Sequence, residues 1–249
     1  MALQTERVHL QDALLALLAG MDSGAGGGDI SATRLSIINF VKAKLDEIVP
    51  QGEGITFTLS ADPNISNPWD LLIDAHLDEC TKDVQLSAPI NVLFPQAATV
   101  TTGVAFTDPK TGYVVLPDNF LRLSSFKMTD WLTSINDKHL ITKEDHKYKK
   151  QSNKWLRGGI DKPVAVLTWK SVTNVIKRTI EYYSIDTHHT VEELLYIPER
   201  KAEELIEVNP NLLDALAWQT AGKIMQITGQ IEPAKLAQER VTQSYNFKP

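Results

Sequence analysis

The chain has 249 residues, 43% hydrophobic and 22% charged, and its 25 Lys and Arg against 31 Asp and Glu give a net charge of −6. That balance suits a folded protein with a sizeable core, in one large domain or two small ones, and no overall basic excess advertises nucleic acid or a membrane surface. The one cysteine, Cys80, excludes an intrachain disulfide and any cysteine-built metal cluster. The apolar stretch Ala13–Ala19 falls short of the ~20 residues that span a bilayer and follows Thr5, Glu6 and Asp12, so neither a membrane span nor a secretory leader is expected.

The first third reads as helical. Val8, Leu14, Leu15 and Leu18 recur at helical spacing, and Ser23–Gly28 then breaks the pattern with a glycine run too costly in backbone entropy for a helix. Ser31 can cap the next helix, with Ile30 and Leu35 as a hydrophobic staple. The stripe Leu35, Ile38, Val41, Leu45, Ile48 follows and ends at Pro50. Asn67-Pro68 starts a third helix, with Leu72, Ala75, His76, Cys80 and Val84 expected along one face.

From about Ser87 to Ser184 the period changes. Ile90–Phe94, Ala98–Phe106, Tyr113–Leu116, Phe120–Met128, Val164–Trp169 and Val175–Tyr183 are short runs rich in Val, Ile, Thr and aromatics, and they read as strands. Asp108-Pro109-Lys110-Thr111-Gly112 is a turn between two of them. Between the strands, polar Thr142–Asn153 reads as a short exposed helix or an excursion from the sheet. The last third returns to helices, opened by Pro198, by Asn209-Pro210 and by Pro233. Leu213, Leu216, Ala217, Thr220, Ile224 and Ile227 line one side of the central one, before Gly229. The fold class expected is α+β, a helical layer built from both chain ends with an inserted antiparallel β domain. The expected divisions are 1–86 (helices), 87–190 (β-rich, with a basic loop) and 191–249 (closing helices).

Chemistry-bearing patterns are thin. Gly24–Asp29 lacks the Lys-Ser/Thr of a phosphate loop and does not follow a strand. Asp74, His76, Asp78 and Cys80 are metal-ligand types, but on a helix the two acids point away from the other two. His188 and His189 are neighbours in an extended segment and face opposite ways. Cys80 sits in an apolar stripe where thiols are inert, and no nucleophile turn of the Gly-x-Ser-x-Gly type is present. No catalytic residue, cofactor or metal is expected, and the chain reads as a non-enzyme.

Charge distribution says more. Between Lys127 and Arg178 twelve Lys and Arg face five acids, with Trp131, Tyr148, Trp155 and Trp169 interleaved. Such a stretch suits contact with nucleic acid or with an acidic protein surface, and Lys143, Lys147, Lys149 and Lys150 are its densest part. A solvated loop is the plainer alternative. Tyr245 and Phe247 put two aromatics in a polar C-terminal tail; they serve as an interface anchor or fold back onto their own helix.

Several segments together resemble the head-to-tail adaptor or ring proteins at the neck of tailed double-stranded DNA bacteriophages, of podovirus-type or crAss-like kind. Gly112–Leu123, with its Leu116-Pro117-Asp118-Asn119-Phe120-Leu121, is similar to a strand–turn–strand found mid-chain in such adaptors. Pro163–Trp169 and Ile176–Tyr183 resemble the sheet strands that follow. Tyr196-Ile197-Pro198 resembles the strand end that leads into the closing helices, and Leu212–Gln226 with Ala234–Val241 resembles the final helix pair. The likeness covers about residues 67–245, and the long polar excursion Thr133–Arg157 departs from it. It implies a structural virion protein made in the host cytoplasm, forming a homo-oligomeric ring, commonly of twelve copies, around the DNA channel at the portal–tail junction. The implied partners are the portal protein, other ring or tail proteins and the DNA, with no membrane, and the closing tail with Tyr245 and Phe247 is expected on the portal. The alternative reading is a cytosolic binding module that uses residues 127–178 for nucleic acid or an acidic partner.

Overall fold

The computed structural model describes residues 32–48, 68–153, 155–183, 185–186 and 188–245. The expected helix carrying Val8, Leu14, Leu15 and Leu18, the glycine break, the cap and staple at Ile30 and Ser31, the stop at Pro50 and the start at Asn67 lie outside them. The chain divides into two compact units, residues 1–89 with 200–249, and residues 90–199. The fold is α+β, with helices and two antiparallel sheets.

The discontinuous unit is helical. Its first part supplies α1 (Ala32–Ile48) and α2 (Pro68–Ser87). In α1 the expected stripe is buried except for Leu35, which is half-buried; Ile38, Val41 and Leu45 are wholly covered. In α2 the buried stripe is Ile73, Leu77, Cys80 and Val84, rotated from the expected face; Leu72 and His76 are only half-buried and Ala75 is exposed. The i, i+4, i+7, i+11 spacing of those four gathers more apolar surface than the expected set does.

The β unit begins with α3 (Ile90–Leu93), where a strand was expected. The run Ala98–Phe106 is likewise no single strand. Strand β1 (Gln96–Ala97) precedes it, and within it only Val104–Ala105 forms a strand, β2; the two join different sheets. Strands β3 (Thr111–Val115), β4 (Phe120–Met128), β5 (Val164–Val172), β6 (Val175–Tyr183) and β7 (Val191–Pro198) follow, with a 3-10 turn at Asp137–His139 and α4 (His146–Gln151) between β4 and β5. One sheet has the order β1-β7-β4 and the other β2-β3-β6-β5, all antiparallel. Facing side chains of both sheets form one core, including Val114, Phe126, Met128, Ile180, Tyr182 and Leu194. Trp131 packs its edge on Phe126 at 5.3 Å and 84°. The Tyr182 hydroxyl lies so close to the β3 backbone that a Cβ on Gly112 would sit 2.4 Å from it, so only glycine fits there.

The β unit runs to Glu199, past the expected boundary at 190, because β7 is the central strand of its sheet. Pro198 therefore ends a strand and does not open a helix. The remaining helices are α5 (Ala202–Val208), α6 (Leu212–Ile227) and α7 (Ile231–Ser244). Asn209-Pro210 forms the turn before α6 instead of its first residues, through Leu212 N–H to Asn209 O and Leu213 N–H to Pro210 O. Pro233 stands in the first turn of α7, where a missing N–H costs nothing. The α6 stripe is buried except for Ile227, and Leu212, Ala215, Trp218, Ala221 and Met225 are buried too, so α6 is the centre of the helical unit. Gly229, at φ 82°, closes it in a Schellman turn, with Gln230 N–H on Met225 O and Gly229 N–H on Gln226 O.

Candidate interaction surface

Helix α4 is short, and one face pins it. Tyr148 packs against Ile141, Val166 and Tyr183. Three residues on, the buried Gln151 amide donates to Lys147 O (2.9 Å) and accepts from Gly158 N–H (3.1 Å). Asp145 caps the start by accepting from Lys147 N–H at 2.8 Å. With positions 148 and 151 turned inward, Lys147, Lys149 and Lys150 point to solvent, and Lys143 is exposed on the turn before them. None of the four forms an ion pair among the described residues. The acids nearby are occupied: Asp145 is the cap, and the Thr142 hydroxyl holds the Glu144 carboxyl below the usual range.

Five other cations of the basic stretch serve the β unit itself. Lys127 pairs with Glu192 (2.7 Å), Arg157 with Asp108 (2.5 Å), Lys170 with Glu181 (3.0 Å) and Lys177 with Asp118 (2.7 Å). Arg178 donates to Phe120 O (2.8 Å) and stacks over the rings of Phe120 and Trp169. The interleaved aromatics divide as well: Trp131 and Tyr148 turn inward, while Trp155 and Trp169 turn out.

Trp155 is 90% exposed, yet it stands on a hydrogen-bonded turn. Asn153 N–H donates to Lys150 O (3.1 Å), the Asn153 side chain accepts from Trp155 N–H (2.9 Å), and Asn153 O accepts from Leu156 and Arg157 (3.0 Å each). Leu156 is exposed beside it. Leu132, 70% exposed, is tied to the same loop cluster by its N–H on Ile160 O at 3.1 Å. A second exposed apolar group is the β5–β6 tip, where Trp169, Val175 and Ile176 extend beyond the core. The lysines were legible from charge counting. Trp155 and Trp169 were singled out with them, but that they and their apolar neighbours stand outside the core was not legible, because strand alternation gives the side of the sheet but not where the core beneath it stops.

Tyr245 folds back onto its own unit. Its ring packs on the helical core and its hydroxyl shares a hydrogen bond with Ser87 at 2.7 Å, with burial raising its pKa. Phe247 lies outside the described residues. Cys80 is wholly buried, and burial pushes its thiol up to about 11, which leaves it protonated and unreactive at neutral pH. Asp74 and Asp78 both bind Arg34, while His76 faces Glu79 at 3.3 Å. His189 shares a hydrogen bond with the Tyr182 hydroxyl at 2.5 Å, and His188 stands beside Asp130 at 3.8 Å. Among the described residues no three His, Cys, Asp or Glu side chains converge as a metal site, and no helix is long and apolar enough to cross a membrane. No protein-family model matches the chain, and no curated protein matches it.

Proposed function

We propose that this chain is a structural subunit of a tailed-phage neck, a non-enzymatic ring protein at the portal–tail junction around the DNA channel. The observation that carries the reading is the placement of the segments that resemble adaptors. Gly112–Leu123 is β3, a turn closed by Phe120 N–H on Pro117 O (3.0 Å), and β4. Pro163–Trp169 and Ile176–Tyr183 fall on β5 and β6, Tyr196-Ile197-Pro198 ends β7, and the last two segments fall on α6 and α7. Each stretch takes the element type the resemblance implies, in the implied order. A ring of identical subunits also needs two different contact surfaces per copy, and the exposed group beside α4 is a candidate for one of them.

The test is assembly. Purified chain should sediment as a discrete multiple of the subunit, twelve copies by the resemblance, and should co-sediment with the portal protein of its own virus. Removing 242–249 separates the two roles of Tyr245. Lost portal binding at unchanged thermal stability assigns the tail to the portal; a lowered melting temperature with binding retained assigns it to the subunit core. A chain that stays monomeric and binds no portal overturns the proposal. The four exposed lysines also favour a second reading, a basic binding module, which predicts a monomer that retards DNA in a salt-dependent way.

A further inference from the structure

Trp155 and Leu156 lie on one hydrogen-bonded turn, Leu132 bonds the same loop further on at Ile160, and Lys143, Lys147, Lys149 and Lys150 lie on the helix and turn that lead into it. Single exposed apolar residues are ordinary, but several held on a fixed loop mark a contact surface. An indole contributes most to binding once desolvated, so a turn that holds it at 90% exposure favours docking over solvation. Lysines that form no ion pair among the described residues, beside exposed apolar side chains, call for a partner with apolar side chains set among acids.

The chain itself carries such a surface. Residues 90–199 hold fourteen Lys and Arg against twelve Asp and Glu, whereas the rest holds eleven against nineteen. The helical unit is therefore strongly acidic and the β unit slightly basic. On α2, residues 71, 75, 78, 79, 82, 83 and 86 are exposed along one side. Leu71, Ala75 and Leu86 are apolar, Asp78, Glu79 and Asp83 are acidic, and Lys82 is the lone cation among these seven. Asp78 and Glu79 also pair within the copy, with Arg34 and Lys223 at 2.9 Å each, so the acid of this face that forms no ion pair among the described residues is Asp83.

We infer that the Trp155 surface of one copy docks on the outer face of α2 in a second copy. The occupant is chosen by charge complementarity, and the inference rests on the ring reading, which it deepens by naming the contact. The two surfaces differ, so the contact runs head to tail: each copy keeps a free surface of each kind, and rotation closes the series.

The experiment uses the full chain and two charge reversals, K147E/K149E/K150E on α4 and E79K/D83K on α2, with circular dichroism as the check on folding. Sedimentation velocity should show wild-type assembly that weakens with salt, as screened charges require. Each reversed chain alone should remain monomeric. An equimolar mixture of the two should assemble, because each patch then meets a face of opposite sign. W155S, which changes no charge, should weaken assembly by about tenfold or more.

If both reversed chains assemble like wild type, this contact is wrong while the ring reading stands. If wild type stays monomeric at every concentration, the ring reading fails and the contact with it. If each reversal blocks assembly but the mixture does not restore it, α2 is not the face. If the α4 reversal leaves assembly intact but abolishes binding to single-stranded DNA or to phosphatidylserine vesicles, the surface takes a polyanion or a membrane and the inference is overturned.

Discussion

Lys42 on α1 and Asp70 on α2 form an ion pair at 2.6 Å with side chains almost wholly removed from solvent. Two charges buried together lose their hydration, and their attraction offsets that loss only while both are present. Asp70→Ala alone should therefore destabilise the helical unit by about 3–5 kcal/mol, whereas Lys42→Met with Asp70→Leu should cost far less. Urea denaturation of the three chains reads this directly, and equal losses in the single and double variants would refute it. The pair was not legible in the sequence. Lys42 lies one position from the apolar Val41, and nothing in helical periodicity says that a charge there meets a counter-charge 28 residues later. Tyr182 and Tyr183 were similarly half-legible. As neighbours on a strand they point to opposite faces of the sheet, yet both are covered, and burial raises both phenolic pKa values, with Glu181 adding to the shift of Tyr183.

At the scale of elements, the β5–β6 hairpin turns through two residues, Thr173 at φ 50° and Asn174 at φ 65°, directly after the pair Val172 and Val175. A two-residue turn with both φ positive suits Asn-Gly, and a β-branched residue there is strained. T173N/N174G should stabilise the β unit by about 1 kcal/mol and raise its melting temperature by several degrees. An unchanged or lower melting temperature in a thermal scan would show that the Thr173 hydroxyl bond to Val172 O, at 2.7 Å, outweighs the strain. The longer elements were the legible ones. The α1 stripe, β4, β5 and β6 fall close to where periodicity put them, since nine or more residues leave little room for another pattern. Ile90–Phe94 was not, because four apolar residues fit a buried helical turn as well as a strand. The candidate surface divided the same way: α4 was foreshadowed by the polar run Thr142–Asn153, while the turn that lifts Trp155 depends on Asn153 bonds without any periodic signature.

For the whole molecule, the two units differ in how the chain builds them. Every pairing of both sheets lies within residues 90–199, and so does the core between them. The helical unit is assembled from two distant stretches. Its core joins Ile38, Val41 and Leu45 of α1 with Ala217, Ala221 and Ile224 of α6, so neither stretch buries its own apolar face. The cut ends of that unit lie close together, because Arg200 N–H reaches the Gln85 side chain on the last turn of α2 at 3.2 Å. Two excised chains should consequently fold. Residues 90–199 alone should give a cooperative thermal transition and the near-ultraviolet signature of a buried Trp131. The complement, with residue 89 joined to 200 through a short Gly-Ser linker, should fold as a helical protein, since a short closed loop costs little entropy. Residues 1–89 by themselves should stay largely unfolded, lacking the α6 surface that α1 and α2 pack on. A disordered 90–199 fragment would mean that the sheets need the helices to form, and a stable 1–89 fragment would mean that the amino-terminal helices need no second stretch.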